Sequence, residues 1–400
     1  MASNLYVVVG GQYGSEGKGA VAGRICADMQ VRGQEVVNVR VGGPNAGHTV
    51  IGRCPADCGD THEVGKHPWR LRQVPVAAVT AADSTLVIAA GSEVDPYVLA
   101  DEIGQLNAAG YDVDARLIVD RSATVLTGAH VTAEQVNGLN ARIGSTAKGI
   151  GAARSDRIWR QAQTWDEWAS KGATPAGMLL SDAKVLHQLT RRDTSRWMSV
   201  LLHDSARASV VIEGTQGYGL GLHTGNYPKV TSGDCRAIDF LAQAGISPWQ
   251  QDCGGWPLNL KVVVAIRPHP IRVAGDSGWL KGETTWADLG LPDEHTTVTR
   301  KVRRVGAWDP ELVQQAVRAN GGPRQGVVWM ALTMADSVEP RLAGIDQAVR
   351  NWAGARDGTE GELTFDTVSR YLSTLGTGAQ HLGYVGTGPD TAIVNERMYD

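Results

Sequence analysis

The chain has 400 residues, with 38 Lys and Arg against 42 Asp and Glu, a formal net charge of −4. With 42% hydrophobic and 20% charged residues it has the profile of a globular chain, neither disordered nor membrane-embedded. The near-neutral balance argues against electrostatic binding of duplex DNA. No apolar run approaches the ~20 residues needed to cross a bilayer, and the opening MASNLYVVVGG carries no basic, cleavable leader, so a cytoplasmic protein is expected. Cys26, Cys54, Cys58, Cys235 and Cys253 are too few and too scattered for a disulfide framework. Glycine, at 49 residues, exceeds the typical ~7% and marks many places where backbone turns tightly or approaches a ligand.

Along the chain, a β-branched run predicts a strand at 5–9, which passes into a glycine-rich loop and a helix at 17–29. Strands follow at 35–41 and 85–89, then a helix at 96–108, a strand at 117–119 and a helix at 133–143. Strands at 209–212 and 260–266, a helix at 310–319, a strand at 327–332 and a helix at 366–374 complete the pattern. Apolar strands alternating with helices imply an α/β fold with a mainly parallel central sheet. No linker or low-complexity tract interrupts the chain, so one large domain over 1–400 with elaborate loop insertions is expected. The ligand belongs at the carboxyl edge of that sheet.

The loop Gly10-Gly11-Gln12-Tyr13-Gly14-Ser15-Glu16-Gly17-Lys18-Gly19 joins the first strand to its helix. Backbone N–H groups curling round an anion, a helix N-terminus and the Lys18 ammonium make it a P-loop-like phosphate site. It is not a standard P-loop: Gln12 stands where the first glycine of Gly-x4-Gly-Lys-Ser/Thr belongs, and Gly19 replaces the hydroxyl residue. A plain strand-to-helix turn would explain the glycines but not the lysine among them. Three further segments carry the same ingredients: Gly42-Gly43-Pro44-Asn45-Ala46-Gly47-His48-Thr49; Gly144-Ser145-Thr146-Ala147-Lys148-Gly149-Ile150-Gly151; and Glu213-Gly214-Thr215-Gln216-Gly217 leading to Asn226-Tyr227-Pro228-Lys229-Val230-Thr231-Ser232. Each alone is weak, and together they suggest a site gripping two phosphorylated ligands.

These four segments, in order and at similar spacing, resemble the adenylosuccinate synthetase signatures GGQWGDEGKGK, GGxNAGHT, GSTGKGIGPAY and EGAQG…GTYPxVTSS. Gly386-Thr387-Gly388-Pro389-Asp390 resembles that family's C-terminal STGPD. The resemblance implies an enzyme that moves a γ-phosphoryl group onto a purine 6-oxo group and lets the amine of aspartate displace it, with Mg²⁺ on the triphosphate. By motif position His48 resembles the general acid, and Lys18, Gln216 and the residue at 15 complete the catalytic set. Gly14, Ser15, Glu16, Gly17, Lys18, Gly19, Gly47, His48, Thr49, Asp336, Gly386, Gly388 and Pro389 resemble the nucleotide and phosphate contacts. Ser15 and the Gly47 carbonyl fall at the magnesium positions. Ser15, Asn45, Thr146, Arg160, Gln216 and Thr231 resemble the holders of the nucleoside monophosphate. Arg160 aligns with an arginine that the family lends across a homodimer interface, against the plainer reading of a helix-surface arginine.

The sequence departs from the family at three places. Position 15, aspartate in the family pattern, is serine here. A neutral hydroxyl cannot replace a carboxylate as base for the purine N1 proton. It is smaller, however, and accepts a hydrogen bond from an N–H donor such as the 2-amino group of guanine. The change resembles the bacteriophage branch of the family, the 2-aminoadenylosuccinate synthetases, which join dGMP to L-aspartate on the way to 2-aminoadenine DNA. A phage-encoded enzyme would work in the host cytoplasm.

Where the family reads LTKLDVLD for the guanine of GTP, this chain reads Leu332-Thr333-Met334-Ala335-Asp336, which fits ATP or dATP better. In place of the aspartate loop TTGRxRRxG stands Thr297-Val298-Thr299-Arg300-Lys301-Val302-Arg303-Arg304-Val305-Gly306. Thr299, Lys301, Arg303 and Arg304 are the expected aspartate contacts, with Arg300 an alternative to Lys301.

Outside the family pattern, Cys54, Cys58, His62 and His67 lie in an insertion near 53–68. Their spacing permits a zinc site, but turn residues between them favour an exposed hairpin. Two other functions stay open beside the dGMP-using ligase. One is an ordinary synthetase taking IMP and GTP; the other is a nucleotide-binding regulatory protein without chemistry. His48 and the Arg303/Arg304 pair argue against the second, and Ser15 and Met334 against the first.

Overall fold

The computed structural model describes residues 3–54, 65–205, 207–296, 301–322, 326–350 and 381–400. The fold is mixed α/β with a mainly parallel sheet, as expected. Two compact units are distinguished: Met1–Tyr6, Ala22–Thr215 and Ile238–Leu260 form the first, and Val7–Val21, Gln216–Ala237 and Lys261–Asp400 the second. The boundary falls inside the first strand, β1 (Asn4–Gly10).

The first unit continues with β2 (Glu35–Arg40), β3 (His48–Gly52), β4 (His67–Leu71), β5 (Thr85–Ile88), β6 (Glu93–Val94), β7 (Leu117–Asp120), β8 (Thr124–Val125), β9 (Thr190–Arg192) and β10 (Ala208–Glu213). Five of these pair in parallel in the order β10, β2, β5, β7, β9. Val36, Val37, Val39, Leu86, Val87, Ile88, Val210, Val211 and Ile212 are buried, the near-continuous apolar pattern of strands covered on both faces. Asn38, the polar exception in β2, donates to the Val211 carbonyl at 3.0 Å and accepts from the Ala77 amide at 2.8 Å, so its burial leaves neither group unmatched. The β2–β10 register pairs Val39 with Ile212 and then Arg40 with Glu213, which sets opposite charges side by side at the carboxyl ends.

β3 and β4 pair antiparallel, from His48 opposite Leu71 to Gly52 opposite His67. They frame the expected hairpin, whose residues 55–64 lie outside the described ones. The helix expected over 133–143 is instead two, Gly128–Val136 and Leu139–Ile143, because Gly138 adopts a left-handed φ of 63° between them. The helix Pro96–Ala108 matches its expected bounds, with Asp95 accepting from the Tyr97 and Val98 amides and proline in the first turn. The helix expected at 366–374 lies outside the described residues.

The second unit holds most of β11 (Asn259–Ile266), then β12 (Ile271–Arg272), β13 (Arg304–Val305), β14 (Val328–Leu332), β15 (Gln347–Val349), β16 (Leu382–Gly386) and β17 (Ala392–Asn395). β11, β14 and β16 run parallel, while β17 is antiparallel to β16 and parallel to β15. The Gly11 amide, just past β1, donates to the Ala265 carbonyl of β11 at 2.8 Å. The carboxyl ends of these parallel strands deliver the 10–19 loop, Arg267, the 333–337 segment and the 386–389 segment, where the sheet rule places a ligand. Among the described residues no helix is long and apolar enough to cross a membrane.

Candidate nucleotide and aspartate site

In the second unit, the chain leaving β1 turns through Gly14 (φ 91°), Ser15 (φ 58°) and Gly17 (φ 74°) into the helix Lys18–Val31. Glu16 organises that turn from within. Its Oε1 accepts from the Gln12 amide at 3.1 Å and the Gly14 amide at 2.7 Å, and its Oε2 meets Lys18 Nζ at 2.6 Å. The Glu16 side chain is fully buried and that of Lys18 nearly so, so the ion pair forms under little screening. Gly19 is buried in the first helical turn. Gln216, itself left-handed at φ 62°, packs on this loop, its carbonyl oxygen 2.6 Å from where a Cβ on Gly10 would stand. Gly217 has no alternative residue: a Cβ there would overlap Glu16 Oε1 and lie 2.7 Å from the Gln12 carbonyl oxygen and the Gly14 nitrogen.

The loop is pinned to the end of β11 by Gln12, whose side chain donates to the Arg267 carbonyl and accepts from the Arg267 amide, both at 3.0 Å. Arg267 Nη1 donates to the Ser15 carbonyl at 3.2 Å and Nη2 meets Glu294 Oε2 at 2.8 Å. Arg303 Nε reaches the other Glu294 oxygen at 3.2 Å. Burial lowers the Arg303 pKa; the Glu294 carboxylate opposes that shift, and the Arg267 charge adds to it.

The segments on either side of residues 297–300 pair with each other: the Arg303 amide donates to the Glu294 carbonyl at 2.8 Å and the Thr296 amide to the Lys301 carbonyl at 2.9 Å. Lys301 is exposed, and Thr299 and Arg300 lie outside the described residues. Arg304 is committed elsewhere. It pairs in a fork with Glu283 at 2.6 and 2.5 Å and donates to the Gly278 carbonyl at 2.8 Å, and the Glu283 bond raises its pKa. The structure therefore places Arg303 with Arg267, which sequence reasoning missed, and separates Arg304 from them.

Thr333 ties the 333–337 segment to the 10–19 loop, its hydroxyl donating within reach of the Glu16 carbonyl (2.9 Å) and the Ile266 carbonyl (3.1 Å). Met334 follows in a left-handed conformation (φ 54°), and Asp336 lies half-buried in the turn Ala335–Ser337. Burial raises the Asp336 pKa against its own amide and that of Ser337. Gly386 packs closely on this segment, a Cβ there standing 3.1 Å from Thr333 Cα. Gly388 is half-buried and Pro389 exposed. Thr231, half-buried, is held through its amide by the Leu220 carbonyl at 2.8 Å.

In the first unit, His48 opens β3 and is buried. Its Nδ1 lies 2.6 Å from Glu213 Oε2, while Glu213 Oε1 accepts from the Val76 amide at 2.7 Å. Arg40 Nη1 also approaches His48 Nδ1, and lies 3.3 Å from Glu213 Oε2. A guanidinium only donates and a carboxylate only accepts, so Nδ1 serves one of them. The charge-assisted bond to the carboxylate is the stronger, and we assign the Nδ1 proton to it. Arg40 then balances Glu213 by charge and shapes the adjoining loops, with Nη2 donating to the Ala46 carbonyl at 2.5 Å and the Arg72 carbonyl at 3.2 Å. Burial alone would raise the Glu213 pKa, yet the His48 ring, the Arg40 guanidinium and the Val76 amide together hold the carboxyl below its ordinary range. Asn45 and Gly47 are half-buried beside this triad and Thr49 is exposed. In the sequence Arg40 was legible only as the charged end of an apolar strand, and Glu213 as the first residue of the 213–217 segment.

The 144–151 loop has its own anchor. Glu134 accepts from the Gly149 and Gly151 amides, both at 2.7 Å, which holds the start of the helix Ile150–Trp159. Thr146 is half-buried in this loop. Arg160 is exposed at the helix's left-handed end (φ 62°), its Nη1 donating to the Ile158 carbonyl at 2.6 Å.

Of the cysteine–histidine constellation, Cys54 is a half-buried free thiol and His67 stands edge-on to Trp69 at 4.8 Å; Cys58 and His62 lie outside the described residues. Among the described residues no group of three or more His, Cys, Asp or Glu side chains forms a metal cluster. For magnesium, the expected donors are neutral oxygens, the Ser15 hydroxyl and the Gly47 carbonyl, and both Glu16 oxygens are already committed.

The sequence profile of the adenylosuccinate synthetase family matches residues 7–174 and 177–341. Curated relatives named adenylosuccinate synthetase include one from Pyrococcus horikoshii, 31% identical over 85% of this chain and 86% of its own length. Another, from Methanocaldococcus jannaschii, is 32% identical over 85% of each chain. Among solved structures, the cyanophage S-2L succinoaminodeoxyadenylate synthetase bound to dGMP and dATP has a TM-score of 0.70 at 24% identity, covering 99% of this chain and 96% of that one. The fully ligated adenylosuccinate synthetase of Plasmodium falciparum also has a TM-score of 0.70, at 19% identity over 98% of this chain and 100% of that one. At those identities the two structures share the fold.

Proposed function

Because this chain belongs to the adenylosuccinate synthetase family, ligases that form a carbon–nitrogen bond between a purine nucleotide and aspartate, we propose that its own substrate is dGMP. In this reading residues 1–400 act as one cytoplasmic synthetase domain. It joins L-aspartate to C6 of dGMP with ATP or dATP as phosphoryl donor, and releases 2-amino-2'-deoxyadenylosuccinate, the nucleoside diphosphate and phosphate. The product serves 2-aminoadenine DNA synthesis in a phage.

Ser15 carries the reading. Its φ of 58° is a conformation that aspartate adopts more readily than serine, so backbone geometry alone would favour the family's residue. The serine is therefore better explained by what its side chain meets: a small hydroxyl leaves room for the guanine 2-amino group and accepts a hydrogen bond from it. The solved cyanophage neighbour, described as bound to dGMP and dATP, supports this reading, and Met334 in place of a lysine supports an adenine donor.

In this reading the His48 ring, held through Nδ1 by Glu213, serves as the acid toward the migrating phosphoryl group. The 10–19 amides and Lys18 neutralise phosphate charge, and the Gly47 carbonyl would be a ligand to Mg²⁺, which when bound would draw charge off the triphosphate. The aspartate amine then displaces phosphate from C6, the amino acid held by Arg303 with Thr299 and Lys301, while Arg304 stays on Glu283. Asn45, Thr146, Gln216 and Thr231 hold the monophosphate. Arg160, exposed beside Ile158 and Trp159, serves the neighbouring subunit of a homodimer.

A second reading, IMP with GTP, is favoured by the names of the curated relatives. The test combines purified protein and aspartate with each pairing of dGMP, GMP or IMP with ATP, dATP or GTP, and follows formation of the succinyl-purine. Product from dGMP with ATP or dATP is expected. Product from IMP but not from dGMP overturns the assignment.

A further inference from the structure

We propose that Arg267 is a second carboxylate-binding residue for the amino-acid substrate, acting beside Arg303, with Glu294 holding the pair in the structure described above. The proposal rests on the aspartate-ligase reading and adds to it a residue outside the loop motif that suggested aspartate binding.

The geometry is that of a carboxylate receptor. Two guanidinium groups, with side chains 5% and 13% exposed, converge on the two oxygens of Glu294 at 2.8 and 3.2 Å. Two cations against one carboxylate leave an excess of one positive charge in a largely buried place, which suits a substrate bearing two carboxylates better than it suits Glu294 alone. Arg267 also keeps donor capacity in reserve, since its Nε is buried without a hydrogen-bond partner among the described residues. Glu294 is the most exposed member, at 29%, so it is the group most readily displaced by an incoming carboxylate.

The second arm of Arg267 gives the arrangement its use. Nη1 holds the Ser15 carbonyl, in the loop that faces the purine in the proposed reaction, while Nη2 is on the shared carboxylate. Aspartate bound by Arg267 and Arg303 would thus be positioned from the same residue that fixes the substrate loop, which brings its amine to a defined place relative to C6.

Two variants test this with steady-state kinetics, using whichever nucleotide pair gives product. Arg267→Met is expected to raise the aspartate KM by about tenfold or more, with nucleotide KM values changed by less than about twofold. Arg267→Lys should recover part of that loss, because the charge returns without the planar fork. Glu294→Gln removes the resident anion and is expected to lower the aspartate KM by about two- to fivefold. Equal increases of the aspartate and nucleotide KM in Arg267→Met would make Arg267 a brace for the 10–19 loop and overturn the proposal. So would a higher aspartate KM in Glu294→Gln. Absence of product from the wild type with aspartate and every nucleotide pair would instead overturn the ligase reading, and this inference would fall with it.

Discussion

Glu213 holds His48 by its Nδ1 at 2.6 Å, with the carboxylate fully buried and the ring 5% exposed. The pair spans 165 residues of sequence, and the parallel register of β2 and β10 sets Arg40 beside the same carboxylate. If the carboxylate orients the His48 ring for phosphoryl transfer, Glu213→Gln should lower kcat by about 10²–10⁴-fold and leave nucleotide KM values nearly unchanged. The same variant leaves Arg40 buried against a neutral amide, at a cost of about 3–5 kcal/mol. Urea unfolding and initial rates on one preparation separate the two effects.

The acid limb of stability follows from the same carboxylate. Its pKa is held below the ordinary value of 4.5, so the folded state binds fewer protons there than the unfolded chain. The stabilisation is fully present above that unfolded value and is lost as the pH falls through the lower, folded one. Urea midpoints measured near about pH 6 and about pH 4 should therefore fall further for the wild type than for Glu213→Gln. Equal drops in the two proteins would assign acid sensitivity to other carboxylates.

The strand-to-helix turn at 10–19 was legible because its pattern is local. Glycine, lysine and a strand-to-helix transition within ten residues already specify backbone amides around an anion. The seven strands expected from β-branched runs recur within a residue or so of their bounds for the same reason, whereas β16 and β17, short and partly glycine-bearing, carried too little pattern to register. What stayed hidden depends on distant pairing. Arg40 and Glu213 meet only once a parallel register is set, and a slip of one strand by one residue would put the two side chains on opposite faces. Arg303 and Arg304 are neighbours in sequence but alternate in direction along extended chain, which sends one to Glu294 and the other to Glu283. No pattern of charges in one segment reveals which carboxylate each will find.

Substitution of Ser15 by aspartate tests the substrate assignment without disturbing the loop, because aspartate tolerates the left-handed backbone there. The added carboxylate should crowd the 2-amino group of guanine and offer a base toward N1 of hypoxanthine. The ratio of kcat/KM for dGMP to that for IMP is expected to fall by about 10–100-fold in Ser15→Asp. Competition assays with both nucleotides present measure that ratio directly, and equal losses for the two would remove the steric account.

Met334 offers the corresponding test for the phosphoryl donor. Its φ of 54° and half-buried position are set by Thr333, whose hydroxyl is bound to the Glu16 and Ile266 carbonyls, and by Gly386 packed against it. A lysine at 334 meets the same backbone strain as methionine, so any change in donor preference reports the side chain and not the fold. With an ammonium restored beside Asp336, a guanine base regains a polar partner, whereas an adenine base presents an amino group where guanine has a carbonyl. Met334→Lys is expected to raise kcat/KM for GTP relative to ATP by about tenfold, corresponding to one added hydrogen bond of roughly 1–2 kcal/mol. The measurement is the initial rate with each triphosphate at limiting concentration, with dGMP and aspartate saturating. An unchanged GTP-to-ATP ratio would mean that donor choice is made elsewhere in the 333–337 and 386–389 segments.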